Sequence, residues 1–207
     1  VIFVKGGHTI MGEEEEPLEL DYLVSLIHGL RDEVDAYGVC AAMSMVNPTH
    51  ELVTAKAIEM LDPKPVFCSR RVSQTAGMQE RAATAGLHAK LMPIMQQYIT
   101  GVQQAMTARG LSCPMVIISG NARTISSAQA VELAGMTVAS GPACTAHFGA
   151  EQTAGSALII DIGGTTTDIA MIQDGRPLMA TEGCTIGGSR THVEAIDTSP
   201  GGTGGDA

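Results

Sequence analysis

Behind Pro17, apolar residues recur three and four positions apart: Leu20, Leu23, Val24, Ile27, Leu30 and Val34 share one stripe and predict a helix. Residues 37–46 form a largely apolar run of strand length. Asn47-Pro48 then caps a second helix, with Val53, Ala57, Met60 and Leu61 on one face. Residues 1–4 and 65–70 read as further short strands. The order β-α-β-α-β favours a parallel sheet with helical crossovers, an α/β arrangement.

Helical spacing then runs on from about residue 78 to 109, through Leu87, Leu91, Ile94, Met95, Tyr98, Val102, Ala105 and Met106. Pro93 is expected to kink or divide that helix, and Gly110 to end it. Residues 115–118 predict a strand. Ser126 and Gln129 stand at capping-box spacing before a helix that Gly135 stops. Ser140-Gly141-Pro142 opens a helix of small residues to about residue 154. Three strands follow, at 157–162, 168–172 and 177–180, with Asp174-Gly175 as a hairpin turn between the last two. The chain thus divides into an α/β region with the long helix, residues 1–110, and a region 111–207 carrying a glycine-rich hairpin.

Composition narrows the partners. The chain has 207 residues, 44% apolar and only 16% charged, enough to bury a core. Aromatic residues make up 3% and Trp is absent, so no base-stacking platform is available, and a net charge of -10 argues against nucleic acid or an anionic membrane surface. No apolar run is long enough to span a bilayer. The five cysteines are odd in number and form no C-x-x-C pair, which disfavours zinc ribbons and redox dithiols and fits the reducing cytoplasm. The N-terminus has no initiator Met and starts in mid-strand, and the Gly201–Asp206 run closes no element. Both ends read as cut from a longer chain.

The chemistry concentrates at Asp161-Ile162-Gly163-Gly164-Thr165-Thr166-Thr167-Asp168. Gly163 and Gly164 let backbone N–H groups approach an anion with no Cβ in the way. Thr165, Thr166 and Thr167 add hydroxyl donors. The candidate catalytic carboxylates Asp161 and Asp168 cannot favour a phosphate themselves. They make sense around a divalent cation, with Asp161 as its ligand, or around an oriented water. No Gly-Lys-Ser/Thr follows, so the loop is not a Walker A motif, and it lacks the third glycine of a dinucleotide fingerprint. A purely structural glycine hairpin is the alternative.

This run resembles the second phosphate motif of the actin/chaperone/sugar-kinase superfamily, and more closely that of the hydantoinase A/5-oxoprolinase family. Asn47-Pro48-Thr49-His50-Glu51, Glu80-Arg81-Ala82-Ala83-Thr84 with His88-Ala89, and Ser140-Gly141-Pro142-Ala143 are similar to family segments in the same order. The likeness runs from about Ala36 to the C-terminus, where residues 201–206 fall at a second glycine-rich loop. Two segments depart from the pattern: Ser119-Gly120-Asn121-Ala122-Arg123 replaces Ser-Asn-Gly-Gly, and Cys144 replaces a glycine. The resemblance implies a fragment of a ribonuclease H-like, actin-like ATPase fold, a mixed sheet with helices packed on it. It implies ATP and Mg2+ as cofactors, a small cyclic amide (a lactam or hydantoin) as substrate, and a second, B-type subunit or domain as partner. ATP would phosphorylate the amide oxygen and so activate the ring for hydrolysis. A first phosphate motif is expected upstream of this chain. A regulatory or chaperone-like ATPase of the same superfamily is the second reading.

Other residues carry weaker signals. Glu80, Arg81, Thr84 and His88 lie on one helical stripe, either facing substrate or forming an exposed or interdomain salt-bridged face. No second His or Cys stands at ligand spacing from His88, so a metal role is disfavoured. Cys40 and Cys68 read as core residues, and Cys144 as a small packing residue at a helix start in preference to a nucleophile. Ser140 lacks a G-x-S-x-G setting.

Overall fold

A computed structural model describes residues 1–72, 75–164 and 166–201. They fall into two compact units, one of Val1–Val102 with Ile186–His192, the other holding the remainder.

In the first unit residues 1–4 form no strand. Among the described residues no neighbouring strand takes their hydrogen bonds, and Val4 packs instead on the apolar cluster of Leu23, Ile27 and Ile58. The first strands are β1 (Gly7–His8) and β2 (Glu14–Glu16), an antiparallel pair in which His8 lies opposite Glu14. Glu14–Glu16 are therefore a solvent-exposed edge strand. It is tied down by His50, whose Nε2 lies 2.9 Å from Glu14 Oε1 and whose ring sits 4.2 Å from that of His8. Helix α1 (Leu20–Leu30) buries Leu23 and Ile27, the core positions of its apolar stripe.

Strand β3 (Tyr37–Val39), helix α2 (Thr49–Leu61) and strand β4 (Val66–Cys68) form a parallel β-α-β unit, with Tyr37 opposite Val66 and Val39 opposite Cys68. Strand β3 is much shorter than the apolar run 37–46. Glu51, fully buried on α2, explains why. Its Oε1 accepts from Ala41 N (3.1 Å), Ser44 Oγ (2.8 Å) and Ser69 Oγ (2.5 Å), and Oε2 accepts from Arg70 N (3.2 Å). A buried carboxylate needs such donors, and gathering them turns the chain out of strand geometry after β3.

Helix α3 (Met78–Ala108) is one continuous helix of 31 residues with Pro93 inside it. Of the two outcomes expected at Pro93, a kink or a division, the division does not occur. Gly38 lets this helix approach β3 closely, since a Cβ there would lie 2.9 Å from Ala85 O.

The second unit begins with β5 (Val116–Ile118) and β6 (Thr124–Ser126), an antiparallel hairpin of which only the first strand was foreseen. Ser126 and Gln129 close a complete capping box on α4 (Ser127–Glu132). Helix α5 (Ser140–Glu151) buries Ala143, Ala146 and Gly149 on one face. Strands β7 (Ala157–Ile162) and β8 (Thr167–Gln173) pair antiparallel, and β9 (Arg176–Pro177) folds back on β8. Asp174 and Gly175 have φ of 51° and 72°, the two left-handed positions of a type I′ turn. The run 177–180 is split: β10 (Met179–Ala180) leaves β8. Past the small hairpin of β11 (Thr185–Ile186) and β12 (Ser189–Arg190), most of which belongs to the first unit, β13 (Ala195–Ile196) pairs with β10 and β14 (Thr198–Gly201) with β8. Ala143 and Ala146 of α5 form the core here with Ala170 and Ile196. The content is mixed α/β: the first unit holds the parallel pair β3–β4 beside the antiparallel pair β1–β2, and in the second β5–β6, β7–β8, β8–β14 and β10–β13 pair antiparallel.

Candidate functional site

Strand β7 alternates in burial because one face of the hairpin meets α5. Ala157, Ile159 and Asp161 point toward that side, while Leu158, Ile160 and Ile162 are exposed. Gly149 makes the approach possible: a Cβ on it would lie 2.4 Å from Ile159 Cδ1. Asp161 thus stands at the end of a strand whose face is set by packing.

Asp161 lies directly opposite Asp168, and Ile162 opposite Thr167. Directly paired residues project to the same face of a sheet with Cβ atoms about 5 Å apart, so the two acids share one face at the mouth of the turn. Gly163 N donates to Thr166 O at 2.9 Å and closes the turn between them. A Cβ on Gly164 would meet nothing within 4 Å, which leaves that stretch of backbone open to a ligand. Thr166 is exposed and Thr167 half-buried. Thr165 lies outside the described residues, as does the glycine-rich run beyond Gly201. Two carboxylates this close repel each other; a bound cation would relieve that repulsion.

One partner of the site escaped the sequence reading. Thr145 Oγ1, on α5, donates to Asp161 Oδ2 at 2.8 Å. The two are 16 positions apart, and only the docking of α5 on β7 brings them together.

Of the four stripe residues on α3, Glu80 is half-buried and the other three are not an exposed face. Arg81, Thr84 and His88 are all buried in the first unit. Arg81 donates to Ala41 O and lies 3.4 Å from both Cys40 Sγ and Met45 Sδ. Thr84 accepts from His192 N at 2.8 Å. His88 stacks on Phe67 with ring centroids 4.0 Å apart, and burial, with the nearby Arg71 charge, lowers its pKa to about 4. These groups hold the loop after β3 and the core under α3. Cys68 is buried as expected and Cys40 half-buried, but Cys144 is exposed, contrary to a packing role, because Ala143 and Ala146 take the buried face of α5.

A sequence model of the hydantoinase/oxoprolinase family matches residues 81–207, and one of that family's N-terminal region matches residues 1–61. This chain belongs to the hydantoinase/oxoprolinase family. The match takes in the N-terminal segment before Ala36, for which the sequence reading had claimed no likeness. Two solved structures share its fold. The ATP-dependent caprolactamase from Pseudomonas jessenii aligns over 94% of this chain with a TM-score of 0.80 at 24% identity. Acetone carboxylase in its nucleotide-free form aligns over 96% with a TM-score of 0.78 at 21% identity. In each case the chain spans 29% of the length of that protein. A comparison with curated proteins found no match. Among the described residues no helix is long and apolar enough to cross a membrane.

Proposed function

We propose that this chain is part of the ATP-dependent subunit of a hydantoinase/oxoprolinase-type enzyme, which activates a cyclic amide for hydrolysis by phosphorylating its carbonyl oxygen. The carrying observation is the Asp161/Asp168 pair at the mouth of the open Gly163–Thr166 turn. Family membership and the ATP-dependent caprolactamase of the same fold support it. In this reading the fold is the actin-like ATPase fold, and the hairpin opens its nucleotide-binding half, residues 111–207. The free cysteines fit a cytoplasmic enzyme. A B-type subunit or domain completes ring opening.

The residues suit a magnesium-bound nucleotide. Among the described residues no group of three or more His, Cys, Asp or Glu could hold a metal. Magnesium does not need one, since it is usually held by one or two carboxylates plus phosphate oxygens and water. When bound, Mg-ATP supplies the phosphoryl group and neutralises the charge that builds during its transfer. The protein's part is positioning. Asp161 would ligate the ion or orient a water, and Asp168 would support ion or loop. The amides of Gly163 and Gly164, with the hydroxyls of Thr165, Thr166 and Thr167, cradle the phosphates.

The test is ATP turnover by the complete polypeptide with hydantoin, 5-oxoproline or caprolactam as stimulant. Asp161→Asn is expected to lower kcat about 100-fold or more, as loss of a transition-state electrostatic group does. Undiminished turnover in that variant would refute the assignment. Stimulation by unfolded peptide in place of lactam would favour a chaperone-like ATPase.

A further inference from the structure

Asp161 and Asp168 are equivalent in sequence, each an acid flanking the same turn, but their surroundings differ. Asp161 Oδ2 holds a hydrogen bond from Thr145, whereas among the described residues no group bonds the Asp168 side chain. A carboxylate on a strand end turns freely about its last two torsions, and repulsion from the acid opposite would drive it outward. A hydroxyl bond to one oxygen fixes the plane of the group and leaves the other oxygen, Oδ1, as the available ligand atom. Bonds from a hydroxyl to a carboxylate are among the strong ones.

The bond is also a departure from what a helical threonine does by default. Thr84 and Thr107 on α3 both return their hydroxyl protons to the carbonyl four residues back, Glu80 O at 2.6 Å and Gln103 O at 2.9 Å. Thr145 sends its proton across to another element instead. Its place in space is fixed independently, because Ala143 and Ala146 beside it are fully buried against the sheet. The donor is held by the core, and Asp161 is held by the donor.

We infer that Thr145 is a positioning residue for the cation-binding carboxylate: it pins Asp161 in one orientation with Oδ1 presented, and leaves Asp168 as the mobile, supporting acid. This rests on the nucleotide reading above. The two acids therefore have unequal roles, Asp161 setting the geometry and Asp168 adapting to the occupant.

Mn2+ binding in the presence of ADP, followed by electron paramagnetic resonance on the complete polypeptide, reads the geometry without turnover. Thr145→Val keeps the shape and removes the proton. It is expected to weaken Mn2+ about tenfold, the usual loss when a group that orients a metal ligand is removed. Thr145→Ser, which keeps the hydroxyl, should return most of that loss, and Asp168→Asn should weaken Mn2+ less than Asp161→Asn. The melting temperature separates the alternatives. A Thr145→Val protein with lowered melting temperature but wild-type Mn2+ affinity would show plain helix-to-sheet glue and overturn the role. If Thr145→Val does not fold, failure of Thr145→Ser to hold wild-type affinity overturns it equally. Unchanged Mn2+ affinity in Asp161→Asn would remove the nucleotide reading and this role together.

Discussion

Glu51 offers the sharpest quantitative check on how the first unit is held. The perturbation is Glu51→Gln, a nearly isosteric change at a fully buried side chain. In the wild type Oε1 takes three donors and Oε2 takes Arg70 N. An amide has one acceptor oxygen. If that oxygen replaces Oε1, the NH2 group is turned toward Arg70 N–H, two donors face to face, with no acceptor for either. The reverse orientation strands three donors and is worse. A buried donor left without a partner costs about 1–3 kcal/mol, and bonds to a charged acceptor exceed neutral ones by about 1 kcal/mol each. Orphaning one donor, at about 2 kcal/mol, and weakening three bonds by about 1 kcal/mol each, less about 1 kcal/mol regained because a neutral amide is cheaper to bury than a carboxylate, gives about 4 kcal/mol. That is a large part of the roughly 5–15 kcal/mol by which a domain is stable.

Urea unfolding followed by circular dichroism measures the loss. With a urea dependence of about 1.5 kcal/mol per M for a unit of this size, the midpoint of its transition should fall by about 2–3 M. Hydrogen exchange read by mass spectrometry localises it, with the amides of Ala41 and Arg70 losing protection first. A Glu51→Gln protein within about 0.5 kcal/mol of wild type would refute the reasoning, because it would mean the carboxylate is not the acceptor that shapes the loop.

Two further outcomes follow from buried groups. Gly149→Ala should destabilise the second unit by about 1–3 kcal/mol through collision with Ile159, and Ile159→Ala in the same chain should relieve most of the clash, giving a measurable coupling in a double-mutant cycle. His88 is neutral in the fold, with its pKa lowered from 6.5 to about 4 by burial and then by Arg71. Its contribution to stability is therefore complete above about pH 6.5 and is lost as pH falls toward 4. Between pH 7 and 4.5 the wild type should lose about 2 kcal/mol more than His88→Phe, which keeps the stack on Phe67; equal losses in the two proteins would contradict it.

Local chemistry explains which features could be foreseen. The Ser126/Gln129 capping box, the Asp174-Gly175 hairpin and the β-α-β unit of Tyr37–Cys68 each depend on residues near one another in sequence, or on a period that only one element satisfies. The acids and glycines at 161–168 were legible for the same reason, since a hairpin brings Asp161 to Asp168 by register alone. What failed were statements about burial of charged and small residues. Arg81 looks like a surface residue until the backbone group that accepts from it, Ala41 O, is placed by the fold. Residues 1–4 have strand-like composition but, among the described residues, no strand beside them. Cys144 and Ala143 are neighbours on one small-residue helix, and no periodicity tells which of them meets the sheet.

The same distinction bears on where the precision of the candidate site comes from. A glycine-rich turn between two strands has little stiffness of its own, and a hairpin standing alone is marginally stable in water. Here the hairpin gains a third strand, β14, along β8 and a helix across one face. The helix can reach the sheet because Ala143, Ala146 and Gly149 present almost no side-chain bulk, and that closeness brings the Thr145 hydroxyl within 2.8 Å of Asp161. The motif residues define which ligand the loop could take. The small residues of α5 fix the orientation in which its first acid is offered. Enlarging Gly149 should therefore move Asp161 as well as loosen the core, whereas a change on the exposed edge at Ile160 or Ile162 should leave its orientation intact.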